Sequence, residues 1–300
     1  MDMKVLELVG IKKSIRNREI VKGINLHVDP SEVVGFLGHN GAGKTTTIRM
    51  IVGLIKPTSG QVRICGYDIR KQFEQAMEHV GCMIESPDMY RYMSGMANLK
   101  HFANMGRTSI SQKRIDQVVE LVGLKDRIGD RVEEYSTGMC QRLGLAQAIM
   151  GSPKLLILDE PTNGLDPTGI REFREMVRFL AEQEKMGVLI SSHMLSEIEL
   201  MCDRVAFIRN GELLNTGYVD DFIRKPRTCW HVSDQAKAAE LLKSKWNLRS
   251  EPLDDQRLAA ELDEHQVSEV NEVFMKAGMN VYYVYRETQT LEDVFMNMTK

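Results

Sequence analysis

The sequence predicts an α/β protein: a core of parallel strands and helices, a helical insert, and a small α/β domain towards the C-terminal end. Three observations carry that prediction. An all-apolar run, Val33–Leu37, leads into a glycine-rich loop, GHNGAGKT over Gly38 to Thr45, from which a helical pattern runs over Lys44–Leu54. Two more apolar runs, Leu155–Leu158 and Val188–Ser191, are separated by helical segments, as buried parallel strands are. Near Lys225-Pro226 the register changes, and a domain of residues 1–222 is expected to give way to one of 223–300.

The elements follow in order. Val5–Leu8 and Ile24–Val28 read as short strands ahead of the loop. Pro57 and Gly60 mark a turn, with Gln61–Cys65 a strand beyond it. From about 88 to 150 the pattern is helical; Ser111 can cap a helix whose Ile115, Val118, Val119 and Val122 form one apolar stripe. Val205–Arg209, an Asn210-Gly211 hairpin turn and Leu213–Asn215 close the first domain. The remainder alternates: strand Cys229–Val232, helix Gln235–Lys245, strand Arg257–Leu262, helix Val267–Ala277, strand Val281–Tyr285 and helix Leu291–Met298.

Composition excludes several classes. A net charge of -3 with no Lys/Arg tract gives no footprint for nucleic acid. Five scattered cysteines without a C-x-x-C pair argue against a disulfide framework or a zinc site and for a reducing cytosol. No apolar run approaches the roughly 18 residues of a membrane span, and the first residues lack the apolar stretch of a signal peptide. The expectation is a cytoplasmic chain that reaches a membrane only through a partner.

The glycine-rich loop has the form G-x-x-x-x-G-K-[ST]. Glycines at 38, 41 and 43 let backbone N–H groups face the β- and γ-phosphates of a nucleotide at a helix N-terminus that already favours anions. Lys44 is placed to reach the outer phosphates, and the Thr45 hydroxyl to coordinate Mg2+. Taken alone, the loop also reads as a glycine-rich helix start. An acidic pair then ends the LLIL strand. Asp159 can hold Mg2+ through water, and Glu160 stands where it can polarise an attacking water. Strands also end in solvated charges for no further reason, so this pair needs its context.

That context is the run from Tyr135 to Pro167, YSTGMCQRLGLAQAIMGSPKLLILDEPTNGLDP, followed by Ser191-Ser192-His193. With the phosphate loop, these motifs resemble the ATP-binding-cassette (ABC) ATPases over roughly the first three-quarters of the chain. The resemblance implies their P-loop fold, a mixed sheet core with a helical subdomain, and a small accessory domain after it. It implies ATP and Mg2+ as ligands, with His39, Asn40, Ala42 and Thr46 joining Gly38, Gly41, Gly43, Lys44 and Thr45 around the phosphates. Ser136 and Gly138 stand in the signature position, which in this family closes over ATP held by a second subunit. The resemblance thus implies a head-to-tail homodimer. His193 matches the histidine that contacts the γ-phosphate, and Asp166 the residue that communicates across the dimer.

Three departures refine the resemblance. The signature reads Tyr-Ser-Thr-Gly-Met rather than Leu-Ser-Gly-Gly-Gln, closer to exporter ATPases than to importers. Cys140, near a helix start, could carry a lowered thiol pKa, although a small helix residue is the commoner reading. Glu85 replaces the usual glutamine, which ligands Mg2+ and relays nucleotide state; in Met-Ile-Glu-Ser-Pro it resembles the bacitracin-export and lantibiotic-immunity branch, though neutral drift from Gln is the plain alternative. Ile15 stands where an aromatic ring would stack on adenine, leaving Arg16 or Arg18 to cover the ring, or the base loosely held. Methionines 83, 89, 93, 96 and 105 suit either a groove for a permease helix or ordinary core filling.

The leading function is the ATP-hydrolysing subunit of an exporter, working through separate membrane permease subunits on a peptide antibiotic. A general drug or natural-product exporter is the alternative. ABC ATPases acting on DNA or ribosomes carry two cassettes or a long coiled coil, and neither is visible. A module that binds ATP without turnover conflicts with Glu160 and His193.

Overall fold

The computed structural model describes residues 4–84, 88–106, 109–223 and 226–299. The chain divides into two compact units, Met1–Val219 and Asp220–Met298. The division falls within a short helix, Val219–Phe222, rather than after it.

The first unit holds two sheets. One is antiparallel, with order β2-β1-β4-β5 over Arg18–Val28, Leu6–Ile15, Ser59–Ile64 and Tyr67–Asp68. The expected strands at Val5–Leu8 and Ile24–Val28 are the inner ends of a much longer ribbon, closed by a turn at Arg16 and Asn17 with φ of 46° and 62°. Arg-Asn lacks the glycine that usually advertises such a turn, so the sequence pattern misses it.

The second sheet runs β10-β9-β3-β8-β7-β6 over Glu212–Tyr218, Arg204–Arg209, Val33–Leu37, Gly187–Ser192, Leu155–Asp159 and Val80–Ile84. All neighbours are parallel except β10, which returns antiparallel through Asn210-Gly211. Strands β3, β7 and β8 are buried along their whole length, as their unbroken apolar runs demand. Their C-terminal ends gather at one edge of the sheet, which is where open α/β sheets bind ligands.

Helices then cover the sheet. Lys44–Ile51 (α1) leaves β3 through the glycine loop. It stops before the expected Leu54 because Gly53, at φ 76°, turns the chain back and Ile55 N–H reaches Arg49 C=O. Phe73–Met77 (α2) was not evident from the pattern. The helical stretch holds Gly95–Met105 (α3), Gln112–Leu121 (α4) and Thr137–Ile149 (α5), each started by a serine, Ser94, Ser111 and Ser136, whose side chain accepts an N–H of the first turn. Pro167–Glu182 (α6) starts with Asp166 as cap and Pro167 in the first turn, and buries Ile170, Phe173, Val177 and Leu180 on one stripe. Truncating Phe173 to alanine would cost about 3–5 kcal/mol. Leu195–Met201 (α7) completes the unit, and Val219–Phe222 (α8) carries the division. Beneath, buried Arg204 pairs with Glu32 at 2.6 Å and also donates to His27 C=O.

The second unit runs β11 (Arg227–Val232), α9 (Gln235–Trp246), β12 (Ser250–Pro252), β13 (Arg257–Ala260), α10 (Glu264–Lys276), β14 (Val281–Glu287) and α11 (Leu291–Thr299). Its sheet order, β12-β13-β11-β14, is that of a split β-α-β, ferredoxin-like motif. Trp230 and Phe274 meet edge-on at the centre, and Trp230 Nε1 donates to Asn271. The three-residue strand at Ser250–Pro252 carries no pattern to predict it. Among the described residues no helix is long and apolar enough to cross a membrane.

Candidate nucleotide site

The site grows from the end of β3. Gly38 is required by close approach: a Cβ there would lie 2.3 Å from Ile208 C=O. Gly43, at φ 110°, caps α1 in a conformation unfavourable to other residues and has no side chain to occupy the first-turn N–H groups. Those donors and the helix dipole therefore face the loop. Lys44 follows, only 6% exposed, with Nζ 2.6 Å from Gly38 C=O and 3.2 Å from Glu160 Oε1.

Strands β7 and β8 bring the acidic pair alongside. Asp159 is 3% exposed. The fully buried Ser191 hydroxyl donates to Asp159 Oδ1 at 2.5 Å and accepts from Glu160 N–H at 3.0 Å. Glu160 itself adopts φ 50°, a left-handed turn out of the strand that this double contact helps to hold. Its second oxygen accepts from His193 Nδ1 at 2.7 Å and from His193 N–H at 3.3 Å. One carboxylate thus bridges the loop lysine and the strand-end histidine.

Arg18, Ile20, His39, Asn40, Gly41, Gly43, Lys44, Thr45, Thr46, Glu160, Asn163 and His193 line a cavity of about 490 Å3. That size suits a nucleotide. Larger cavities lie elsewhere, around Arg114 and α6 and around α2 and Pro153, but neither holds a phosphate-binding helix start. Among expected residues, Gly38 and Ala42 shape the loop behind the lining, and Asp159 sits below it. Ser136, Gly138 and Asp166 do not line the cavity. Ser136 caps α5 by accepting from Met139 N–H, and Asp166 caps α6 by accepting from Gly169 N–H at 2.7 Å. Leu165 lies beside Gly138, so the two turns form one surface. Glu85 falls outside the described residues.

A divalent cation fits the donors present. Asp159 is a buried carboxylate with no cationic side chain paired to it among the described residues, a costly arrangement unless a cation comes with the ligand. No cluster of three or more His, Cys, Asp or Glu there could hold a metal alone. A cation shared with phosphate oxygens, as Mg2+ prefers, is what this set suits.

Two details fill in the signature helix. Burial pushes the Cys140 thiol pKa up, outweighing a lowering by Arg91, in keeping with a small helix residue. Tyr135, in the usual leucine position of the signature, is an anchor. Its hydroxyl donates to Arg127 C=O at 2.8 Å, and burial, with Asp130 nearby, pushes its pKa up to about 12. The double contact of Ser191 escaped the sequence; the only signal for it is the Ser-Ser pair preceding His193.

Comparison with known proteins is decisive at this point. Residues 21–163 match the ABC transporter family. An uncharacterized ABC transporter ATP-binding protein of Bacillus subtilis, YhcH, is 45% identical over 98% of this chain and 96% of its own length. The chain belongs to the ABC transporter ATP-binding proteins. The bacitracin transport ATP-binding protein BcrA of Bacillus licheniformis is 37% identical over 98% of this chain and 97% of its own. The lantibiotic transport ATP-binding protein SrtF of Streptococcus pyogenes is 38% identical over 70% of this chain and 89% of its own. A solved ATP-binding subunit of an ABC transporter superposes with a TM-score of 0.66 at 28% identity, covering 73% of this chain and 91% of that one. As an ABC ATPase, the protein binds ATP and hydrolyses it to power transport. Across the cavity at α1, Lys44 and Glu160 are in contact.

Proposed function

We propose that this ATPase energises export of a peptide antibiotic, of the bacitracin or lantibiotic kind, through separate membrane permease subunits. The observation that carries the reading is similarity along nearly the whole chain, C-terminal unit included, to a bacitracin transport ATP-binding protein. The lantibiotic relative and Glu85 support the same branch. Exposed Tyr92 and Met105, flanking the aromatic cluster of Tyr90, His101 and Phe102, offer an adaptable surface for a permease segment.

The chemistry follows from the site. The γ-phosphate docks on the α1 N-terminus and draws Lys44 from Glu160. Glu160, still oriented by His193 and Ser191, accepts a proton from a water aligned behind the γ-phosphorus. The water oxygen bonds to phosphorus as the bond to the bridging oxygen breaks, giving ADP and phosphate. Mg2+, held by Thr45, Asp159 and Glu85, would neutralise charge on the β- and γ-oxygens. Ser136 and Gly138 lie outside the cavity in their own chain, which supports a head-to-tail pair in which each copy completes the other's site.

The test is coexpression with the adjacent permease genes in a sensitive host, scoring resistance to bacitracin and to lantibiotics. Protection by wild type that vanishes with Glu160→Gln supports the reading. Absence of protection from a complex that hydrolyses ATP overturns the peptide cargo and leaves general efflux as the function.

A further inference from the structure

Helices α4 and α6 each carry a second stripe besides the one they bury. On α6, Glu172, Glu175, Met176 and Phe179 recur at helical spacing beside the buried stripe and line a cavity of about 610 Å3. On α4, Ile115, Val118 and Val119 are buried, while Arg114, Gln117 and Leu121 turn to the same cavity. Arg142 of α5 reaches it beside Gly123, where a Cβ would lie 3.2 Å from the guanidinium. This cavity shares no lining residue with the nucleotide cavity.

The lining has an apolar floor and acidic sides. Leu121, Val122, Met176 and Phe179 supply the floor, with Phe179 44% exposed. Two arginines face four glutamates. Arg142 contacts Glu172, and Arg114 lies 3.7 Å from Glu184. Glu120 on α4 meets Lys125 in a largely exposed pair, which contributes little. Glu175 on α6 has no ion pair among the described residues. Both arginines are therefore matched, and the charge left over is negative.

We propose that this cavity is a regulatory site for a small amphipathic amine, an organic cation with an apolar body. The body covers Leu121, Met176 and Phe179 and removes their surface from water. Its ammonium group meets Glu175, and Phe179, one turn further along α6, adds a ring for a cation–π contact. An anionic ligand would find the arginines already engaged and carboxylates in excess. The volume is that of drug-sized ligands. The Arg142–Glu172 contact joins α5, which starts at Ser136, to α6, which starts at Asp166. An ammonium beside Glu175 competes with Arg142 for Glu172, one turn away, and loosens that tie. Hydrolysis then falls without any contact at the nucleotide. The effect on hydrolysis rests on reading Ser136 and Gly138 as the half-site offered to a second copy; the binding does not.

The experiment uses the full-length protein and quinacrine, a fluorescent aromatic diamine, with 9-acridinecarboxylate as the anionic control on the same ring system. Quinacrine should bind with a Kd of about 1–100 μM, within reach of a ligand of its size. Excess ADP should shift that Kd by less than about two-fold, and the carboxylate should bind about ten-fold more weakly or worse. Glu175→Gln should weaken quinacrine about two- to five-fold, the range of an exposed ion pair. Gln117→Trp, which replaces an exposed residue and fills the cavity, should weaken it by about ten-fold or more, with thermal unfolding as the check on folding. Saturating quinacrine should lower wild-type ATP hydrolysis by about two-fold or more and leave that of Gln117→Trp unchanged. Displacement by ADP, equal binding of the carboxylate, or full affinity in Gln117→Trp would overturn the site. Binding without loss of hydrolysis would overturn its regulatory role. Failure of the paired half-sites is read separately, by whether a mixture of Lys44→Ala and Ser136→Glu proteins regains activity.

Discussion

Two helix N-termini in this protein have the form of a phosphate site, and they are built differently. At α1 the cap is Gly43, without a side chain; a lysine, a glutamate and a histidine converge in front of it. At α5 the cap is Ser136, whose hydroxyl occupies the first-turn N–H of Met139, and among the described residues Lys44, Glu160 and His193 line the other cavity instead. The first end gathers charge, as the proposed chemistry needs. The second is a capped, pre-formed surface, held from below by Tyr135 and from the side by Leu165. The contrast is what the proposed head-to-tail pair requires, one chain carrying two unlike halves of a site.

The largest test breaks the charged half. Glu160→Gln should lower kcat by about 10^2- to 10^4-fold while nucleotide binding persists, measured by phosphate release and equilibrium binding. A variant retaining a tenth of wild-type turnover would remove Glu160 from the mechanism. Next, Lys44→Ala and Ser136→Glu should each abolish hydrolysis, yet an equimolar mixture should recover about a quarter of wild-type activity, since random pairing makes half the dimers mixed with one intact site each. Failure of the mixture would mean that the two halves do not meet across a pair. Ser191→Ala should cost about ten-fold in kcat by leaving Asp159 and the Glu160 N–H without their shared partner, with partial recovery in Ser191→Thr. The smallest effect sharpens the picture of α5. Because its thiol is raised, Cys140 should alkylate more slowly at pH 8 than a free thiol, and Cys140→Ser should change hydrolysis less than about two-fold. Fast labelling at neutral pH would show that the α5 dipole outweighs burial.

Legibility in the sequence followed chemical necessity. Gly38 and Gly43 were readable because sterics permit little else there, and Ser111 because capping selects few side chains. The Asn210-Gly211 hairpin announced itself for the same reason, whereas the Arg16-Asn17 turn did not and hid half of the β1–β2 ribbon. Helix α1 ended early because Gly53, unremarked in an apolar stretch, reverses the chain. Ser191 stayed silent because its meaning lies in partners 31 and 32 residues away, brought near only by parallel pairing of β7 and β8. The same applies to Arg18, which reaches the nucleotide cavity through a strand the pattern had not extended that far.

The ion pair between Lys44 and Glu160 has a kinetic meaning. Both side chains are largely shielded from water, so their attraction is stronger than a surface pair would have. An incoming nucleotide must compete with an internal carboxylate for the same ammonium group, and a departing phosphate leaves that carboxylate free to return. The protein therefore supplies its own competitor, one that slows capture and hastens release. Replacing the carboxylate by an amide should lengthen the dwell time of bound nucleotide even as it stops turnover, so that Glu160, proposed above as the chemical base, would also time the transport cycle.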